Sequence, residues 1–168
     1  MKIRFGIAPI AWTNSDLPQL GGNTTLETCL SESKQAGFSG TETGVKFPAD
    51  AAKLADVLRR FGLKLVSGWF SGELLARSLE EEKRRIEEQL STFATLGAPV
   101  LVFAETTGTV QGKIDVPVSQ RPRLPETDFR DYGHKLTALA EHLADHGVAM
   151  TYHHHMGTIV ESEKDIDA

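Results

Sequence analysis

Residues 148–155 read VAMTYHHH, an apolar run closed by three of the six histidines in the chain. Whether this run is a strand, and on which rim it ends, decides the fold. A period of two puts Val148, Met150, Tyr152 and His154 on one side and Ala149, Thr151, His153 and His155 on the other. The second side is smaller and more polar. In a parallel barrel that side faces the axis, which leaves His153 and His155 pointing into the mouth and turns His154 toward helix packing.

Working outward, the same alternation recurs at the other end of the chain, where Ile3, Phe5 and Ile7 oppose Arg4, Gly6 and Ala8. Thr24 and Glu27 form a capping box ahead of Leu26, Cys29 and Leu30, and Gly37 closes a predicted helix over about 24–36. A short strand, FSGTET, follows. Leu54, Val57, Leu58 and Phe61, with Gly62 beyond, give a second amphipathic helix, and 63–69 (LKLVSGW) a third strand. Ser78 and Glu81 cap a long charged helix that stops at Gly97, so EEEKRRIEEQ is a solvated helix face. Residues 99–104 (PVLVFA) form the fourth strand, Phe129 to Leu143 line a fourth helix ending at Gly147, and Ser162 with Asp165 begins a fifth.

Strict alternation of strand and helix at this spacing means parallel strands with right-handed crossovers. A doubly wound sheet and a (β/α)8 barrel both fit. No strand is followed by a phosphate-type glycine loop, and Gly6, Ala8 and Glu42 stand opposite the bulky residues, which favours the barrel. Eight units take about 250 residues. The expectation is therefore an α/β chain holding the first five units of a TIM barrel, with 1–168 the N-terminal part of a single domain. Its first and fifth strands would then be open edges, to be covered by a second copy or by a complementing chain.

The 168 residues are 40% hydrophobic and 24% charged, with a net charge of -5, which is ordinary globular material. There is no basic excess, so nucleic acid is an unfavourable partner. No window approaches a membrane span, and the lone Cys29, on the apolar stripe of the first helix, suits a reducing compartment. A cytoplasmic protein is expected.

Side chains at the ends of barrel strands are candidates for chemistry whatever the substrate. Glu42 ends the second strand with Lys46 just beyond, Glu105 ends the fourth, and the histidines end the fifth. The two glutamates read as general bases or as helix-cap partners. Lys46 reads as an electrophile or acid, or as a partner for Glu42. Trp12 and Trp69 fall near strand ends, where an indole stacks on a sugar ring or packs in the core. Neutral imidazoles at 153 and 155 suit a divalent metal or proton relay, although a metal needs more than two ligands. His142 and His146 lie four apart, which is ligand spacing, on the helix face opposite Leu139 and Leu143, where plain solvent exposure is the simpler reading. The segment between Glu105 and Asp128 has no periodicity over more than twenty residues, a length typical of lids and binding elements.

FGIAPIAWTNSDLPQLGG, GFSGTETGVKFP, LVSGWFSG, ETTGTVQGKIDVP and TYHHHMGTIVES together resemble the inosose dehydratase (2-keto-myo-inositol dehydratase) family of inositol catabolism, in the sugar isomerase and epimerase class with a xylose-isomerase-like barrel. The resemblance implies dehydration of 2-keto-myo-inositol to a trihydroxycyclohexanedione, with Co2+ or Mn2+ and glutathione as cofactors. It makes Glu42, Lys46, Glu105 and His153 the catalytic candidates. Trp12, Asn14, Trp69 and His155 become candidates for substrate binding, and His153 and His155 for the metal. In this class the metal is held by one residue at the end of strand five and by others on strands six to eight, so only the first of these belongs to this chain. A sugar isomerase or epimerase, or a noncatalytic half barrel, are the competing readings.

Overall fold

The computed structural model of the chain describes residues 3–168. Six strand segments, all parallel, form two three-stranded sheets in chain order. In the first, β1 (Gly6–Ile7) pairs with β2 (Gly40–Glu42), and β2 with β3 (Lys64–Ser67). In the second, β4 (Trp69–Gly72) pairs with β5 (Val100–Glu105), and β5 with β6 (Ala149–Tyr152). One residue, Gly68, separates β3 from β4, so the predicted third strand is a single bent run that continues to Gly72 and serves both sheets. The Ser67 carbonyl accepts from the Thr43 N–H on one side of the bend, and the Gly68 carbonyl from the Val102 N–H on the other.

Helices α1 (Leu26–Gln35), α2 (Ala51–Phe61), α3 (Leu79–Leu96), α4 (Phe129–Asp145) and α5 (Glu163–Ile166) alternate with the strands. The capping box at Ser78 and Glu81 is present, and Gly62 and Gly97 end their helices in left-handed backbone. Helix α1 differs from expectation. Its N-cap is Thr25, whose hydroxyl accepts the Thr28 N–H, so the box predicted one residue earlier at Thr24 and Glu27 does not form.

The core is one cluster spanning both sheets and their helices, with Leu54, Leu58 and Leu65 on the side of the first sheet. Leu90, Phe93, Leu101, Phe103, Leu139 and Leu143 are fully buried on the side of the second sheet, and Cys29 on α1 is buried as well. Along β6 the alternation is as read: Val148 is buried and Met150 and Tyr152 pack against the core, whereas Ala149 and Thr151 are exposed. The regular strand stops at Tyr152, three residues short of the predicted end. The first strand is shorter still. Ile3 and Phe5, expected on its bulky side, precede it and stand 66% and 64% exposed.

The long segment after β5 is fastened down. Val110 N–H and the Thr109 hydroxyl both donate to the Gly157 carbonyl. Arg121, nearly buried, donates to the Thr158 and Ile159 carbonyls at 2.9 Å each and to Asp165 at 2.6 Å. The excursion after the fourth strand is thus tied to the turn that follows the histidines. No helix among the described residues is long and apolar enough to cross a membrane.

Candidate functional site

The C-terminal ends of the strands open onto a cleft of about 910 Å3, lined among others by Glu42, Trp69, Gln111, His153 and His155. Parallel pairing brings Glu42 and the histidines together, because every strand of a parallel sheet ends on the same rim, and Trp69 joins them from the bend between β3 and β4. Glu42 closes β2, and its Oε1 accepts from the Ser67 hydroxyl at 2.6 Å. Trp69 opens β4, and its indole N–H donates to the Ser71 hydroxyl. Its ring meets His153 and His155 edge-on, with centroids at 5.4 and 5.5 Å. The two imidazoles lie 5.5 Å apart. His155 is fixed through Nδ1, which lies 2.9 Å from the Met156 carbonyl, so Nδ1 carries the proton and Nε2 keeps its lone pair.

His153 holds its proton less tightly than an ordinary imidazole. Burial is the main cause, the neighbouring His155 and His154 add to it, and the Glu42 carboxylate opposes it. The ring is therefore neutral at neutral pH. His154, expected to turn toward the helices, is instead exposed and stacks on His153 with centroids 6.1 Å apart, because the chain has left the strand before reaching it.

Four other candidates do not line this cleft. Lys46 is drawn away from Glu42 by the loop before α1, where its ammonium donates to the carbonyls of Gly21, Gly22 and Thr24. Trp12 hydrogen-bonds Glu32 on α1. Asn14 folds back on its own turn, its Oδ1 accepting the N–H groups of Asp16 and Leu17. Glu105 is fully buried. Its Oε1 accepts the Thr107 N–H, and its Oε2 has no partner among the described residues.

Burial pushes the Glu105 carboxyl above the ordinary range, against the hydrogen bonds from Thr107 and Leu74, and the carboxylate of Glu82 adds to the rise. The fold therefore binds this proton more tightly than the unfolded chain does. Its contribution to stability is complete below the ordinary value of 4.5 and is lost as pH rises through the higher folded value. Glu105→Gln mimics the protonated acid. In urea unfolding between about pH 5 and about pH 8, the wild type is expected to lose stability relative to this variant. A constant difference across that range would show that the carboxyl titrates normally.

Among the cleft residues that carry no sequence signal are Asp16 and Gln111. The Gln111 amide N–H donates to both oxygens of Asp16, at 2.9 and 3.0 Å, and so bridges the segment after β5 to the loop after β1 across 95 residues. Both stand in aperiodic stretches, where nothing local signals a partner.

The chain is 47% identical over 99% of its length to the rhizopine catabolism protein MocC of Rhizobium meliloti, of which it covers 51%. To an inosose dehydratase of Geobacillus thermodenitrificans it is 37% identical over 99% of its length, covering 56% of that protein. The likeness to inosose dehydratases runs over 99% of this chain. It spans about half the length of the curated relatives it matches. No family model matches it. In fold it matches a xylose isomerase-like TIM barrel protein from Mycobacterium smegmatis, solved in complex with magnesium, at 14% identity with a TM-score of 0.65, covering 98% of this chain and 59% of that one. The chain is thus α/β with the fold of xylose isomerase-like barrels.

Among the described residues, no three His, Cys, Asp or Glu side chains gather closely enough to hold an ion ready-made. At the cleft, His153 and His155 are suitable nitrogen donors, but Glu42 is engaged by Ser67 and no third ligand joins them. The cleft residues of this chain do not by themselves fit a metal.

Proposed function

We propose that this chain forms part of the active site of a sugar dehydratase acting on a cyclic keto-polyol, 2-keto-myo-inositol. The observation that carries the reading is the meeting of Glu42, Trp69, His153 and His155 in one cleft at the strand ends. The likeness to inosose dehydratases supports the substrate class.

Loss of water beside a ketone requires a base for the α-proton, a donor for the developing enolate oxygen and an acid for the departing hydroxyl. Glu42 takes the proton, oriented by the Ser67 hydroxyl on Oε1. His153, neutral at neutral pH, donates its ring N–H to the enolate oxygen. His155, whose Nε2 is left free by its Met156 contact, relays a proton from solvent to the departing hydroxyl, which leaves as water. The Trp69 indole presents its face to the ring of the substrate. Co2+ or Mn2+, and glutathione, enter this reading through the resemblance alone, and no step is routed through either.

Incubation with 2-keto-myo-inositol tests it, because only dehydration generates the ultraviolet-absorbing dione. The wild type is expected to raise the absorbance, and Glu42→Gln to slow it by about 10²–10⁴-fold. No rise from the wild type rejects the lyase reading. A second reading, a noncatalytic polyol-binding half barrel, draws on the placement of Lys46 and Glu105 outside the cleft. It predicts a change in Trp69 fluorescence on adding myo-inositol with no dione formed.

A further inference from the structure

Asp16 and Gln111 line the cleft, and the elimination chemistry proposed for it uses neither. Both are held by the chain around them. The Asn14 side chain accepts the N–H groups of Asp16 and Leu17 at 2.9 Å each, a turn that fixes the backbone at Asp16. The Thr109 hydroxyl accepts the Gln111 N–H and donates to the Gly157 carbonyl, which anchors Gln111 to the turn after the histidines. The two loops approach so closely that a Cβ at Gly112 would stand 3.2 Å from the Asp16 carbonyl oxygen. The Gln111 amide donates to both carboxylate oxygens of Asp16, whereas its own Oε1 is buried and has no partner among the described residues. Gln111 therefore orients the carboxylate and presents no acceptor to a ligand.

A carboxylate offers about four lone-pair positions, and Gln111 takes one on each oxygen, so each oxygen of the half-buried Asp16 can accept again. Two O–H donors that reach both oxygens of one carboxylate sit on neighbouring carbons. We infer that Asp16, set by Gln111 and Asn14, recognises a vicinal diol of a neutral cyclic polyol, and so decides which ring position is presented to Glu42. The presenting role rests on the dehydratase reading, whereas recognition of the diol rests on the clasp itself. Charge in the cleft selects for a neutral ligand. Asp16 and Glu42 both repel an anion, and Arg85, the one Lys or Arg side chain of the lining among the described residues, is paired with Glu73 and Glu82. A phosphorylated sugar finds no unpaired lysine or arginine there, while a hydroxyl pair meets a charged acceptor, which makes the stronger kind of hydrogen bond.

The test is calorimetric titration of the whole chain with myo-inositol and with each mono-deoxy-myo-inositol. The wild type is expected to bind myo-inositol about 10–100-fold more tightly than the deoxy-inositols that lack a hydroxyl of the recognised diol. Asp16→Ala is expected to bind myo-inositol and those analogues alike, with the affinity for myo-inositol reduced by the same factor. Gln111→Leu keeps the carboxylate and removes its support, so it is expected to bind myo-inositol less tightly than the wild type and still to prefer it over the same analogues. The proposal is overturned by a wild type that binds no polyol, by an Asp16→Ala variant that retains the preference, or by a Gln111→Leu variant that loses it with Asp16 in place. Dione formation from 2-keto-myo-inositol, followed in parallel, separates this inference from the reading it builds on. A wild type that shows the Asp16-dependent preference and forms no dione rejects the dehydratase chemistry and upholds the diol site, and dione formed without that preference overturns the diol site alone.

Discussion

Phe103→Ala is expected to lower the stability of the fold by about 3–5 kcal/mol, read as a shift in the denaturant midpoint with an unchanged slope. The ring is fully buried at the centre of β5, the middle strand of the second sheet. Phe70 stacks on one side of it at 6.2 Å between centroids, and Tyr152 lies tilted on the other at 6.0 Å. Gly72 faces it so closely that a Cβ there would fall 2.0 Å from two ring atoms. Truncation therefore removes contacts with both neighbouring strands at once and leaves a void that a close-packed interior closes only in part. The same geometry predicts coupling. Gly72→Ala destabilises the wild type, where the new methyl overlaps the ring, but costs much less in the Phe103→Ala background, where the methyl enters the void. Equal costs in both backgrounds would place the ring elsewhere.

Arg121→Met is expected to cost about 3–5 kcal/mol, although the residue belongs to a loop. The guanidinium is only 3% exposed, and its removal leaves the Thr158 and Ile159 carbonyls without their donor and takes the cation from the Asp165 carboxylate. Burial alone would raise the Asp165 carboxyl. The Ser162 N–H and hydroxyl, the Glu161 N–H and the Arg121 charge together outweigh it and bring the value down to about 2. That stabilisation is full above the ordinary aspartate value of 3.8 and is lost as pH falls toward about 2. In Arg121→Met the acid transition begins at higher pH. Hydrogen exchange of residues 157–165 reads the local effect, and protection as strong as in the wild type would assign the anchoring to Thr109 and Val110 instead.

The elements most legible in the sequence are those whose signals are local. Ser78 with Glu81, Gly62 and Gly97 mark helix ends through backbone chemistry that depends on a few neighbouring residues, and they appear where the pattern put them. The α1 boundary failed because Thr24 and Thr25 are adjacent and equally able to cap, and the choice falls to contacts that local sequence does not contain. The pattern ends the third strand at Trp69, one residue past the bend at Gly68, since a glycine followed by a tryptophan carries no sign that pairing resumes with a different neighbour. In the cleft, the shared rim of parallel strands accounts for Glu42 at the end of β2 and for His153 and His155 just past the end of β6, whereas Trp69 lines it from the bend between β3 and β4. Position near a strand end did not separate them from Glu105 and Lys46. One is taken by the core and the other by three loop carbonyls. Long-range ties such as Gln111 to Asp16, or Arg121 to Asp165, leave no trace in periodicity at all.

Glu42 belongs to the first sheet, and Trp69, His153 and His155 to the second or to the chain just after it. The covalent path from one group to the other is the bend at Gly68, which is crowded enough that a Cβ would stand 2.1 Å from the Thr43 hydroxyl and 2.7 Å from the Phe93 ring. The dihedral angles of this one residue act as a vernier between acid and imidazoles. On the dehydratase reading proposed above, a side chain placed there would shift Glu42 against the imidazoles, and the damage would appear in turnover ahead of affinity.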